Sequence, residues 1–170
     1  PWTLTSNVAV AVGPKLDYIK VRIKETSEAL ILSKGAESVL KDEYSIEKEF
    51  KGSEMIGWSY NGPFDELPAQ RAPGGWTELN DIIQGIDVSS KEAHQVIPWD
   101  EVAEDEGTGI VHIAPGAGAE DFGLGKEFKL PVIAPLDEEG KIIDGFDWLT
   151  GMSVLDVARP IFDNLKEKGM

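Results

Sequence analysis

Cysteine is absent from this chain of 170 residues, and histidine occurs only twice, as His94 and His112. The lack of cysteine excludes a disulfide framework and thiolate zinc sites, and two histidines so far apart form no metal cluster. We therefore expect no metal and no cofactor in this chain. No apolar run approaches the roughly 20 residues that span a bilayer, and no secretory signal is recognisable. These absences favour a cytoplasmic protein with no membrane partner.

Positive charge is also scarce, because 16 Lys and Arg face 31 Asp and Glu, for a net charge of −15. Neutralisation of phosphates by Lys and Arg supplies most non-specific affinity for nucleic acids, so duplex binding by this chain alone is not expected. The hydrophobic content of 41% is sufficient for one core. We predict a single domain over residues 1–170, and a monomer.

Short apolar segments recur along the chain and predict strands. The predicted strands cover residues 8–12, 17–24, 29–32, 44–50, 94–98, 110–113 and 129–134. In residues 17–24 apolar Ile19, Val21 and Ile23 alternate with Tyr18 and charged residues, which predicts one buried face and one solvated face. Helices are predicted after the cap Ser33, from Ala119 onward, and over residues 153–168. The last helix has an apolar stripe that we expect to pack on the core. Its members are Leu155, Ala158, Ile161, Phe162 and Leu165.

Two connections complete the predicted fold. Gly13, Pro14 and Lys15 indicate a hairpin between the first two strands, whereas residues 61–81 lack periodicity and indicate one long loop. Many short strands with few helices favour an α+β fold, a distorted β-barrel of short, mostly antiparallel strands with peripheral helices.

Residues 107–122 are the most informative stretch, because a predicted strand leads there into a glycine-rich turn. Gly116 and Gly118 permit a close approach of a ligand to the backbone. Asp121 falls in the first turn of the following helix, where free N–H groups and the helix dipole favour negative charge. With His112 at the strand, this carboxylate is suited to binding a cation such as an amino group.

Other interpretations of the same stretch are less specific. Acidic residues in the first turn of a helix are common caps, and a lone histidine at a strand is usually structural. Asp121 stands where the dinucleotide-binding fingerprint requires glycine, and the chain has no Gly-Lys-Ser/Thr sequence for a P-loop. Nucleotide-binding loops are therefore not supported. The acidic run 104–106 is interpreted as a solvated turn.

Gly-Thr-Gly-Ile-Val-His over 107–112, with Ala114-Pro115 and Ala-Glu-Asp-Phe over 119–122, resembles the editing domain inserted into class I aminoacyl-tRNA synthetases for branched aliphatic amino acids. Residues 1–7, Pro-Trp-Thr-Leu-Thr-Ser-Asn, resemble the threonine-rich segment of the isoleucyl members, and apart from Trp2 and Leu4 we expect them to make few core contacts. Valyl and leucyl members carry an acidic residue where this chain has Trp2. Residues 52–60 with Pro63-Phe64 are similar to the family's Gly-x-x-x-x-Gly-x-x-Tyr motif, which implies a strand and a turn there.

The resemblance to this editing (CP1 insertion) domain implies an aminoacyl-tRNA deacylase that removes valine from isoleucine-specific tRNA. It implies that Asp121 holds the substrate ammonium group and Thr3 positions the ester. His112 would limit the depth of the side-chain pocket and Trp2 would form a wall. We accordingly predict Asp121 and Thr3 as catalytic, and Trp2, His112, Gly116, Gly118 and Asp121 as substrate-binding. No Ser-His-Asp or Cys-His set is recognisable, so we expect direct attack by water.

The implied partners are the 3′ end of a mischarged tRNA or valyl-adenylate, valine itself, and the remainder of a parent synthetase. The chain opens inside a motif and without Met, so we expect a piece cut from a longer chain. It departs from the family in lacking the first threonines, in having Thr5 where proline is usual, and at Ala117. Two alternatives stay open: editing for a valyl-type synthetase, and a non-catalytic acidic interaction module.

Overall fold

A computed structural model describes residues 1–77 and 85–170. The chain divides into two compact units. The first unit comprises residues 1–9, 59–94 and 113–170, and the second comprises residues 10–58 and 95–112. The predicted loop over 61–81 lies in the first unit, and its residues 78–81 fall outside the described residues.

The second unit is built on antiparallel pairing. Strand β2 (Asp17–Ile23) lies between β3 (Ala29–Ser33) and β4 (Tyr44–Lys51), and both pairings are antiparallel. The alternation of this segment predicted one buried face and one solvated face. Tyr18 departs from that pattern, because it is fully buried with Val12 and Phe50, while Ile19 and Val21 pack with Leu32.

A second sheet has the strand order β6-β1-β7. Its strands are β1 (Ala9–Val12), β6 (Val96–Pro98) and β7 (Ile110–Ile113), and β1 pairs with β6 in parallel. The predicted hairpin between β1 and β2 is therefore wrong, since β1 and β2 belong to different sheets. The Tyr18 hydroxyl accepts a hydrogen bond from Gly13 N at 3.0 Å and donates to Gly109 O at 2.7 Å, so a distant contact holds this turn.

Short helices and one small parallel sheet make up most of the regular structure of the first unit. The helices are α1 (Pro68–Arg71), α2 (Ser90–Ala93), α3 (Ala119–Phe128) and α4 (Ala158–Glu167). Strands β5 (Gly75–Trp76) and β8 (Val132–Ile133) pair in parallel. Because α1 and β5 fall within 61–81, the prediction of a loop without secondary structure is wrong for that part. The predicted strand over 129–134 is reduced to two residues.

The remaining helical segments are 3-10 helices: Trp2–Ser6, Lys34–Val39, Gly52–Glu54 and Asp147–Leu149. Ser33 caps the second of them as predicted, because its Oγ accepts from Ala36 N at 3.2 Å. The motif over residues 52–60 forms a 3-10 helix and turns in place of the predicted strand.

The C-terminal helix begins later than predicted, at Ala158 instead of Ser153. Ser153 forms an antiparallel bridge with Lys141, and Val154 N donates to Gly140 O at 2.9 Å. These bonds hold the two residues outside the helix. Ile161 is fully buried, but Leu155 is 86% exposed and Phe162 is 57% exposed. The predicted core stripe is therefore wrong at those two positions.

The described strands form three separate sheets, so the structure is α+β with small sheets. Among residues 1–77 and 85–170 no closed barrel is found, and the barrel stays a prediction. The same residues include no helix that is long and apolar enough to cross a membrane.

Candidate active site

Trp2 and Thr3 lie in the first 3-10 helix, Trp2–Ser6, and both are half-buried. The Thr5 hydroxyl closes this helix by donating to Trp2 O at 2.8 Å. Residues 1–8 form the opening segment of the chain. For residues 1–7 we expected few core contacts beyond Trp2 and Leu4. That expectation is wrong for residues 5–7, because Thr5 and Ser6 are fully buried and Asn7 is nearly so.

Gln70 holds the opening segment from the side of α1. Its side-chain amide donates to Thr5 O at 2.8 Å and to Asn7 O at 3.0 Å, and Gln70 itself is buried. Burial of two backbone carbonyls is tolerated because both are paired in this way. Gln70 is thus a structural part of the candidate site that our sequence analysis missed, since nothing in an aperiodic segment distinguishes one polar residue from another.

The opening segment is joined to the residues that lead into the glycine loop. Val8 N donates to Ile113 O at 2.9 Å, at the end of β7. The next residue, Ala114, donates its backbone N–H to Asp121 Oδ2 at 2.8 Å. The structure therefore joins Val8 to Ile113, and the residue that follows Ile113 to the carboxylate of Asp121, all within the first unit.

Asp121 occupies the first turn of α3, as predicted, and is half-buried. Oδ2 is engaged by Ala114, and in the described parts of the chain no hydrogen bond reaches Oδ1. One carboxylate oxygen thus fixes the orientation of the side chain while the other is available to a ligand. A carboxylate held in this way at a helix start is suited to a charge-assisted contact with an ammonium group.

Glycine is required for packing at only one of the two loop positions, 116 and 118. A Cβ at Gly116 would overlap the Ile133 carbonyl group and lie 2.7 Å from Ala134 N, so glycine is required for packing against β8. A Cβ at Gly118 would meet only Asp121, at ordinary distances of 3.8 Å and above. Gly118 caps α3 with φ of −154°, which any residue can adopt.

His112 lies half-buried on β7 between Val111 and Ile113. It belongs to the second unit, whereas Trp2, Thr3, Gly116, Gly118 and Asp121 belong to the first. Five of the six predicted site residues therefore lie in the same unit. The role of His112 stays a prediction from the sequence motif.

A second polar cluster in the first unit was not predicted. The imidazole of His94 is buried, with Nδ1 2.9 Å from Val8 O and Nε2 2.8 Å from Asp65 Oδ1. The ring of Tyr60 stacks on it with centroids 4.8 Å apart, and Tyr60 donates to Asn7 Oδ1 at 2.6 Å. Burial, together with the nearby Asp65 charge, raises the pKa of Tyr60 well above its usual value despite the Asn7 bond, so its hydroxyl stays a donor.

These contacts limit the chemistry available to this chain. Both ring nitrogens of His94 are engaged, so His94 cannot act as the base of a serine nucleophile. Among residues 1–77 and 85–170 no group of three or more His, Asp or Glu side chains could hold a metal ion. The described residues thus offer an oriented carboxylate, backbone polar groups and the Thr3 hydroxyl.

No family model matches the chain, but individual known proteins are similar to it. The chain is 39% identical over 172 residues to an isoleucine–tRNA ligase of Methanothermobacter marburgensis, with 100% of the chain covered, and 39% identical over 176 residues to that of Pyrococcus furiosus, with 99% covered. It spans only 14% and 15% of the length of those ligases.

A solved structure supports the fold independently. The crystal structure of GlLeuRS-CP1 matches 74% of this chain and 39% of its own, with a TM-score of 0.52 at 19% identity. The predicted resemblance is confirmed by these matches, and the chain belongs to the isoleucine–tRNA ligase family, as a segment with the fold of the CP1 editing domains.

Proposed function

We propose that this chain, within an isoleucine–tRNA ligase, hydrolyses the ester that links valine to mischarged isoleucine-specific tRNA. The observation that carries the proposal is the relationship of the whole chain to a segment of such ligases. The orientation of Asp121 by Ala114, next to the Ile113 carbonyl that accepts from Val8, supports the proposal of a site for an aminoacyl group.

The chemical need for such an activity follows from the size of the two amino acids. Valine is smaller than isoleucine by one methylene, and one methylene in a hydrophobic pocket contributes only about 1–3 kcal/mol to discrimination. The isoleucine enzyme is the standard example of this limit, which is overcome by a second site that hydrolyses the smaller product. That second site must bind the ammonium group, exclude isoleucine and direct water to the ester.

The residues of this chain divide these tasks. Asp121 Oδ1 would bind the ammonium group while Oδ2 stays bonded to Ala114. Thr3 and the backbone around it would position the ester or the terminal ribose, and Trp2 would form one wall. Water would then attack the carbonyl directly, since orientation alone can lower the barrier substantially. The net charge of −15 is consistent with a site that meets only the 3′ end of tRNA.

A deacylation assay with a ligase that carries this sequence tests the proposal. We expect release of valine from valyl-tRNA with little release of isoleucine from isoleucyl-tRNA. Preferential release of threonine from valine-specific tRNA would favour a valyl-type editing activity instead. Absence of any release, in a ligase that still charges tRNA, would favour a non-catalytic module.

Replacement of Thr3 with Ala should lower the rate of valyl-tRNA hydrolysis with little effect on thermal stability. Thr3 is half-buried and makes no side-chain hydrogen bond within the described residues, whereas Thr5 bonds to Trp2 and should be structural. Thr5→Val is the matched control, and it should lower the melting temperature more than Thr3→Ala. A large loss of stability in Thr3→Ala with unchanged hydrolysis would contradict the role of Thr3.

Replacement of His112 with Ala should widen the range of accepted amino acids. An editing site rejects the cognate amino acid by steric exclusion, and removal of the imidazole opens at least the space of one methylene. The variant should begin to hydrolyse isoleucyl-tRNA, which general damage to the fold would not cause. Parallel decreases in valyl- and isoleucyl-tRNA hydrolysis, with a lower melting temperature, would show instead that His112 is structural.

A further inference from the structure

The pair formed by the buried His94 and the partly buried Asp65 has no part in the chemistry proposed above. His94 is 3% exposed, and its Nε2 lies 2.8 Å from Asp65 Oδ1. Asp65 is fixed in turn, because its Oδ2 accepts from Gly62 N at 3.0 Å. Since a carbonyl can only accept, Nδ1 of His94 must carry a proton and donate it to Val8 O.

The surroundings of this pair are closely packed. A Cβ at Gly62 would overlap His94 Nε2 and lie 2.5 Å from Asp65 Oδ1. The stacked ring of Tyr60 covers the imidazole, and its hydroxyl bonds to Asn7, the neighbour of Val8. The orientation of His94 is therefore determined from several directions, as expected for a side chain that must hold another group in place.

Val8 is the residue through which His94 reaches the candidate site. Its carbonyl accepts from His94, and its N–H donates to Ile113 O at 2.9 Å. Because peptide units are planar, these two bonds fix the peptide planes on both sides of Val8. They determine how the chain continues toward Thr3 on one side, and they anchor the strand end that precedes Ala114 and its bond to Asp121 on the other.

We propose that His94, oriented by Asp65, is a positioning residue of the candidate site and acts through the carbonyl of Val8. The proposal rests on the proposed hydrolytic function for its effect on activity. His94 touches no substrate in this scheme. It keeps residues 2–7 in register with Ile113, so that Thr3 and Asp121 have a fixed separation when the ester is bound.

Two substitutions of His94 separate positioning from general stability. An Asn amide nitrogen takes the place of Nδ1 and can still donate to Val8, whereas a Gln amide nitrogen takes the place of Nε2 and can donate only to Asp65. In a ligase that carries this sequence, His94→Gln should lower kcat for valyl-tRNA hydrolysis by about tenfold or more, with KM little changed. His94→Asn should lower kcat by no more than about threefold.

Hydrogen–deuterium exchange of the peptides that contain Val8 and Ala114 gives a second measurement that does not depend on hydrolysis. We expect about tenfold faster exchange of both amides in His94→Gln than in His94→Asn. If the unmodified ligase hydrolyses no valyl-tRNA, the proposed function fails while this measurement still tests the role of His94. Equal exchange and equal loss of kcat in the two variants would overturn the proposal.

Gly62→Ala provides a test that removes no functional group. Its added methyl group would overlap Nε2 and should displace the whole imidazole, so that the bond to Val8 O is lost together with the contact to Asp65, with the same loss of kcat and the same faster exchange as in His94→Gln. Gly57→Ala is the matched glycine control, because a Cβ there meets no atom within 4 Å, although its φ of +84° adds some strain. If the His94 variants do not fold, normal exchange at Val8 in Gly62→Ala would by itself overturn the proposal.

Discussion

Asp121→Asn should reduce valyl-tRNA hydrolysis by a ligase carrying this sequence by about ten- to a hundredfold or more, while the domain stays folded. The amide oxygen of Asn can still accept from Ala114 N, so the loop over 114–118 should keep its shape. The negative charge is lost, and a charge-assisted hydrogen bond is worth about 1.5–3 kcal/mol. Each 1.36 kcal/mol corresponds to about a tenfold change in rate.

Two further variants make this result interpretable. Asp121→Ala removes the charge and also leaves Ala114 N without its partner, so it should lower both activity and melting temperature. Glu120→Gln changes the net charge equally in the same helical turn, but Glu120 is exposed, and it should leave hydrolysis unchanged. Hydrolysis at the original rate by a folded Asp121→Asn enzyme would remove Asp121 from the site.

Local patterns predicted those elements whose structure is determined locally. The alternation of Ile19, Val21 and Ile23 predicted the strand that became β2, and Ser33 predicted the cap of a short helix; the structure has both. The acidic first turn of α3 was also predictable, because free N–H groups at a helix start favour carboxylates wherever the helix packs. Asp121 could therefore be placed from the sequence alone.

Pairings between distant segments could not be predicted in this way. The turn at Gly13 and Pro14 resembles a hairpin, yet β1 pairs with β6, more than eighty residues away along the chain. Periodicity indicates that a strand exists but carries no information about its partner. Similarly, Leu155 extends the apolar pattern of α4 toward its N-terminus, but Ser153 bridges to Lys141 and the helix begins only at Ala158. Tertiary contacts override propensity at both positions.

The supporting residues of the candidate site were missed for the same reason. Gln70 and Asp65 are single polar residues in a segment without periodicity, and His94 is the polar first residue of a predicted strand. Each acts on a backbone group or side chain distant in sequence. Asp121 was predicted as a site residue because it lies at a predicted helix start and within a family motif. Side chains that orient such a residue have no comparable signal in one sequence.

Gly116→Ala should be among the most destabilising single substitutions in the described part of the first unit. The new Cβ would overlap the Ile133 carbonyl group and lie 2.7 Å from Ala134 N, and both contacts are with backbone that a rotamer change cannot relieve. Gly125 of α3 packs closely against Pro115 of the same loop, since a Cβ built at Gly125 would lie 2.9 Å from Pro115 Cβ. The loop therefore has little space to move away from β8. Overpacking of this kind typically costs about 1–3 kcal/mol.

Gly118→Ala is the matched control in the same loop, because its added Cβ would meet only Asp121 at 3.8 Å and its φ of −154° suits alanine. Urea unfolding should show a lower midpoint for Gly116→Ala and a nearly unchanged midpoint for Gly118→Ala. The displaced loop in Gly116→Ala should also weaken the bond between Ala114 and Asp121, so valyl-tRNA hydrolysis should fall even where the protein stays folded. Equal midpoints for the two variants would mean that β8 yields to the added methyl group, and that Gly116 serves the approach of a ligand instead of packing.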